Sequence, residues 1–337
     1  MKQKSPFKQK LIVITIIVMI LLATVLVVLD WREIKQIVGT ANWQWTIVAL
    51  VFTFISYLCL SFGYVLVNKV FGIETGWLQL FQVGIVSTAL NNLLAFLGAA
   101  GHSLRLALIR RPGVVAGEIL AASIFHSYIN NVMMLLMLAV GLISLLASHI
   151  VYGGGAVSLG FITGIAIVSM FIATAILFAG RLRTRILKIT NTVWHFVTRH
   201  NLPNVINDFD YALQQGVVSL RSHKLAVTLL LVLMAADWAF AAAAIWFCLK
   251  AFGTPPGFGV LLSGFGIGIS AGNVSMLPGG LGVQEASMAG TYALLGIPFS
   301  QGVLAAILFR VVYDFVPFFA SLVLYGGLIR KNRQANR

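Results

Sequence analysis

Leu277-Pro278-Gly279-Gly280-Leu281-Gly282-Val283-Gln284-Glu285 lies between two apolar segments and decides how the chain is read. Pro278 has no N–H to give a helix, and the glycines at 279, 280 and 282 permit backbone that a helix would not keep. Lipid cannot satisfy freed amides, so broken backbone at membrane depth must be buried in protein or face water. Glu285 then opens a new helical pattern through Met288, Tyr292 and Leu295. A broken turn, a helix start and an acid beside it are how discontinuous helices build transporter sites. The short, glycine-rich flanks favour a buried re-entrant turn over the alternative, an external loop between two ordinary spans.

The rest of the composition sets the class. Of 337 residues, 59% are hydrophobic and 9% charged, with a mean hydropathy of +0.96. A soluble domain carries about 25% charged residues. The expectation is an all-α polytopic membrane protein. The net charge of +14 does not point to nucleic acid, because the bases gather at span ends, where membrane topology accounts for them. Cys59 and Cys248 fall inside apolar segments and read as small packing residues rather than a disulfide. His195 and His200 have no carboxylate or cysteine nearby, so no metal site and no cofactor are expected. Lys2, Lys4, Lys8 and Lys10 precede an apolar run from Leu11 to Leu29. That run is longer than the about 7–15 residues of a cleaved signal, which suits an uncleaved first span.

A hydrocarbon core about 30 Å thick needs about 20 helical residues. Full spans fit at 11–29, 45–67, 119–147, 157–179, 225–249 and 302–328. Regions 77–111 and 258–297 differ: each holds a short helix, a glycine turn and a second short helix. We read both as re-entrant hairpins returning to their starting side. The outer side then holds Arg32, Lys35 and Lys250, Arg310 lies inside a span, and every other basic residue of the 23 faces the cytoplasm. That bias puts both termini in the cytoplasm. Residues 1–337 form one integral membrane domain: the first span, a first half at 45–179, a basic linker at 181–224 and a second half at 225–328.

The two hairpin regions resemble each other. Gly98-Ala99-Ala100-Gly101 matches Gly279-Gly280-Leu281-Gly282, Leu120-Ala121-Ala122 matches Leu304-Ala305-Ala306, and Phe125-His126 matches Phe309-Arg310. Asn130 then falls opposite Asp314. Similar units of opposite orientation form the inverted repeat common in transporters; chance is the alternative, since small-residue motifs abound in membrane helices. Gly264, Gly268 and Gly272 leave one helix face bare for a close neighbour. In the linker, Leu182, Ile186, Ile189, Val193 and Phe196 alternate with Arg183, Arg185, Lys188 and Arg199, an amphipathic pattern suited to the anionic inner leaflet. Asn201 and Pro203 then read as a helix start, with Ile206, Phe209 and Leu213 on its apolar face.

Ionisable residues inside spans cost about 2.5–3.5 kcal/mol at mid-helix, so each is a candidate site. They are Asp237, Arg310 and Asp314 one helical turn apart, Glu285 at the broken turn, and Arg105 after Gly101, with Asn91 and His126 along the same approach. The turns themselves rest on Gly98, Gly101, Pro278, Gly279, Gly280 and Gly282. If the hairpins meet, Arg105 and Glu285 could pair, and Arg310 could pair with Asp314, Asp237 or Glu285. These groups either hold the bundle together as ion pairs or form a site where a base receives a lipid phosphate and the acids neutralise or titrate.

Leu277 to Ala286, with Leu304-Ala305-Ala306 and Arg310-Val311-Val312-Tyr313, resembles the C-terminal signature of the lysylphosphatidylglycerol synthase transmembrane-region family. The resemblance runs over roughly Leu11 to Leu328. That family includes the flippase half of bacterial multiple-peptide-resistance proteins, so the resemblance implies a bacterial inner-membrane protein that moves or handles lipids. Its pattern of a base after the first turn, a glutamate after the second and an arginine in the last span is met by Arg105, Glu285 and Arg310. Gly98-Ala99-Ala100 departs from it, since many members carry proline or a charge there. Synthase members add a soluble catalytic domain; here the sequence ends nine residues after Leu328, and no Ser/His/Asp set, metal motif or nucleotide loop appears. The expected function is therefore not enzymatic but a flippase-like translocase for an anionic or phosphate-bearing lipid. The alternative is a non-transporting scaffold or accessory subunit of a lipid- or glycan-modifying system. Expected partners are membrane phospholipids, with a second copy or a lipid-modifying enzyme left open.

Overall fold

The computed structural model describes residues 31–94, 99–109, 114–148, 154–180, 205–275 and 277–335, with single residues and short stretches between 182 and 192. The expected first span at 11–29, Gly98 in the first turn and most of the basic stretch 181–204 lie outside the described residues. Among the described residues every regular element is helical. In order they are α1 (Trp31–Thr40), α2 (Gln44–Val70), α3 (Trp77–Leu94), α4 (Ala99–Ile109), α5 (Ala116–Ala147), α6 (Gly154–Phe178), α7 (Val205–Ser222), α8 (Lys224–Ala251), α9 (Phe258–Val274), a 3₁₀ turn (Pro278–Gly280), α10 (Val283–Leu294), α11 (Phe299–Arg310), a π turn (Val311–Phe315) and α12 (Val316–Ala335).

Four stretches are long and apolar enough to cross a membrane: α2, α5, α8 and the continuous run Phe299–Arg330 made of α11, the π turn and the start of α12. They fall on the spans expected at 45–67, 119–147, 225–249 and 302–328. The 25-residue α6 overlaps the expected span at 157–179 as far as Phe178. Their apolar residues do not form one stripe, because a span meets lipid on one side and protein on the other and is hydrophobic on both. Thus Ile47, Val51 and Phe54 of α2 point outward while Tyr57, Leu60 and Tyr64 are buried. Cys59 and Cys248 are free thiols. Lys250, one of the three bases expected outside, ends α8 with its ammonium 3.7 Å from the Trp45 ring centre.

The packing of the two halves is reciprocal. α2 and α8, which precede the two short-helix pairs, lie along one another. The pairs are α3 with α4 and α9 with α10. α5, which follows the first pair, packs on α9 of the second; α12, which follows the second, packs on α3 of the first. Exchanging the halves leaves this contact scheme unchanged.

Glycine lets α9 sit this deep. Its Gly264, Gly268 and Gly272 face Tyr292, Met288 and Gln284 of α10; a Cβ on Gly268 would lie 2.8 Å from Met288 Cβ. On another face Gly259 and Gly266 receive α5 at Ser144 and Leu138, and Gly141 of α5 meets the backbone of Leu262 and Ser263. The four-residue glycine spacing is thus a packing stripe. α7 lies across the ends of α2 and α5: Gly216 abuts Phe71, Gly117 abuts Asp208 and Phe209, and Leu213 is fully buried.

Candidate functional site

The turn after α9 is built of left-handed backbone, with φ of +60° at Gly279, +64° at Gly280 and +78° at Gly282. Gly279 sits against the carbonyls of Asn92 and Leu93 at the end of α3, where an added Cβ would come within 2.9 Å of both oxygens. The second turn therefore touches the first unit. Glu285 stands in the first turn of α10, where Oε2 accepts the Gly282 N–H at 2.7 Å, a helix-capping bond. Its other oxygen accepts from Arg310 Nε. Arg310 Nη1 donates to Gly279 O at 2.8 Å and lies 3.2 Å from Asp314 Oδ2. With 1% of its surface exposed, Arg310 pins the broken turn to the final span.

The first unit has a different arginine. Gly101 lets α4 close onto α3 at Ser87 and Asn91. One turn on, Arg105 is 5% exposed. Its Nε donates to Ser87 Oγ at 2.8 Å, and its guanidinium stacks 4.2 Å over the Tyr64 ring. Nη1 is buried with no hydrogen-bond partner. Among the described residues it has no carboxylate partner; both membrane ion pairs belong to Arg310. The Arg105–Glu285 pair that the sequence left open does not form, because the cap and Arg310 occupy both oxygens of Glu285. Nor does Arg310 reach Asp237.

A cavity of about 460 Å³ opens between the units, within the ~300–1,000 Å³ of small-ligand sites. Arg105, Asn91, His126, Asp237 and Asp314 line it, together with Gly101, Gly279 and Gly280; Glu285 and Arg310 stand behind the turn and do not. Asp237, 2% exposed, accepts a hydrogen bond from Ser56 Oγ, which in turn lies 2.7 Å from the Tyr313 hydroxyl. Tyr57 OH donates to Tyr313 O at 3.0 Å and accepts from Asn92 Nδ2 at 3.1 Å. His126 donates from Nε2 to Leu60 O at 3.1 Å. Ser56, Tyr57, Tyr64 and Ser87 were not singled out from sequence; hydroxyls are common in spans, and only their fold partners mark these four.

The fold and cavity define a polytopic helical membrane protein with unneutralised charge held inside the bundle. Among the described residues no group of three or more His, Cys, Asp or Glu side chains could hold a metal. The sequence profile described as "Lysylphosphatidylglycerol synthase TM region" matches residues 11–321, and the chain belongs to that family. It is therefore a membrane protein associated with lipid metabolism. A comparison with curated proteins finds no match.

Proposed function

We propose that the protein is a non-enzymatic translocase that carries a phosphate-bearing lipid headgroup through this cavity while the acyl chains stay in the bilayer. The observation that carries the reading is Arg105: a buried guanidinium that lines the cavity with Nη1 free and, among the described residues, no carboxylate beside it. Taking such a charge out of water is costly unless an anion completes it, and the planar fork suits a phosphate. Asn91 and His126 add polar groups on the same wall. α6 supplies Met170 and Ala173 to the lining and is tied to α5 by the Tyr128–Thr174 hydroxyl pair at 2.9 Å.

In this reading the short-helix pairs are re-entrant hairpins of an inverted repeat in the bacterial inner membrane, with both termini cytoplasmic. The charge bias and the reciprocal packing support it. The test is reconstitution in phosphatidylcholine vesicles with fluorescent phosphatidylglycerol and a membrane-impermeant quencher. The protein should speed leaflet exchange, and Arg105→Gln should slow it by roughly 100-fold, the loss of a charge-assisted contact of about 3 kcal/mol. A folded protein that exchanges no phospholipid would favour the scaffold reading.

A further inference from the structure

Asp237 shares the cavity with Arg105 but has no cation of its own among the described residues. Arg310 is one cation set against two carboxylates, Glu285 and Asp314, and its Nη1 and Nε are committed to them and to Gly279 O, so it has no charge left over for Asp237. Asp237 receives only the Ser56 hydroxyl among the hydrogen bonds of the described residues. We propose that Asp237 is a proton-binding site that takes up a proton when an anionic headgroup occupies Arg105, so that lipid anion and proton travel together. This deepens the translocase reading and rests on it for the transport arm alone.

A phosphodiester brings one negative charge. Held at Arg105, it adds an anion to the cavity that Asp237 also lines, and like charges then share one low-dielectric space. Like charges there cannot both persist cheaply, and the carboxylate can be neutralised by a proton. The Ser56–Tyr313 hydroxyl pair supplies a hydrogen-bonded line through which the proton can reach it.

The surrounding groups point to Asp237. On α2, Tyr57 and Cys59 are neutral acids that add no cation. On the π turn, Tyr313 is a hydroxyl and Asp314 is paired with Arg310. α11 contributes only Arg310, turned to Glu285, and α9 has no titratable residue. On α5, His126 is fixed to Leu60 O, and on α4, His102 lies one turn from Arg105, where a second positive charge is disfavoured. α7 adjoins α8 at His223, about 21 Å along the helix from Asp237. A hard metal ion needs a cage of oxygens, whereas Asp237 offers one carboxylate with a single hydroxyl on it.

The detergent-purified protein should take up a proton, at most one per phosphatidylglycerol bound, read by calorimetry in buffers of different ionisation enthalpy. Affinity should fall with rising pH by up to about tenfold per unit, the limit for one linked proton. In vesicles, a pH gradient should bias the fluorescent lipid towards the leaflet facing the alkaline side, by up to about tenfold per unit. Asp237→Asn should abolish the proton uptake. Ser56→Ala removes the hydroxyl that favours the ionised form and should move the uptake midpoint up by about one pH unit, which keeps the test sound if Asp237→Asn does not fold.

Binding without proton uptake, uptake lost in His102→Gln but kept in Asp237→Asn, or a dependence on sodium at fixed pH would each overturn the proposal. Lipid exchange indifferent to the gradient would overturn it while leaving the translocase standing. Proton-linked binding without exchange would do the reverse. No binding of phosphatidylglycerol at all would remove both.

Discussion

The two broken units each bury one arginine and treat it in opposite ways. Arg310, in the second, is held by two carboxylates and a carbonyl, with Nη2 unpartnered, and stands behind its turn. Arg105, in the first, has a serine, a tyrosine face and an unpartnered Nη1, and it lines the cavity. A buried charge with its own counter-ions is spent on structure. A buried charge without them is held ready for something that arrives. The same residue type at comparable burial thus serves two ends, and the neighbours decide which.

The largest effect that could break this comparison is at Arg310. Arg310→Ala strands Glu285 and Asp314 and leaves Gly279 O without its donor. Removing one partner of a buried pair costs about 3–5 kcal/mol. We expect a marked loss of thermal stability in detergent, seen in melting followed by intrinsic fluorescence. Neutralising all three together, as Arg310→Met, Glu285→Gln and Asp314→Asn, should recover most of it, because no charge is then left unpaired. If Arg310→Ala melts like the parent, the clamp assignment fails.

How much of this was legible follows from where each signal resides. The spans at 45–67, 119–147 and 225–249 are fixed by local hydropathy, and the helices fall there because lipid depth sets their length. The Gly264–Gly268–Gly272 stripe was legible because periodicity is a local property. The left-handed turn at Gly279, Gly280 and Gly282 was legible because only glycine occupies such backbone cheaply. The partner of Arg310 was not: three acids stood within plausible reach, and the choice depends on how the turn carries Glu285 around. The solitude of Arg105 was less legible still, since the lack of a partner exists only once every neighbour is placed. For the same reason Ser56 and Tyr313 gave no signal until the fold brought them to Asp237.

A second, smaller effect sharpens the account of the turn. Gly280 and Gly282 share left-handed backbone but not surroundings. An added Cβ on Gly280 would lie 2.8 Å from Gly272 Cα, whereas nothing lies within 4 Å of one on Gly282. Gly282→Ala should therefore cost only the backbone term of about 1–2 kcal/mol. Gly280→Ala should add a packing term of about 1–3 kcal/mol, because backbone cannot yield as a side chain does. Equal losses in the two alanine variants, measured by the same melts, would mean that α9 and the turn do not meet this closely.

The smallest stability effect is expected where the functional effect is large, at Arg105. Its guanidinium is desolvated, and Ser87, the Tyr64 ring and the residual dipoles of the cavity repay only part of that cost. Arg105→Gln leaves no carboxylate stranded, since none was paired with it, and glutamine can still donate towards Ser87. The melting temperature should therefore stay within a few degrees of the parent, a change of about 1 kcal/mol or less, and a rise is as acceptable as a fall. Added phosphatidylglycerol should stabilise the parent, as a ligand that binds only the folded state must. It should leave Arg105→Gln unmoved. The contrast with Arg310→Ala decides the matter: one arginine whose loss unfolds the protein, and another whose loss is silent until lipid is added. If Arg105→Gln is as damaging as Arg310→Ala without lipid, then Arg105 is also a structural clamp and the cavity has no vacant cation to offer.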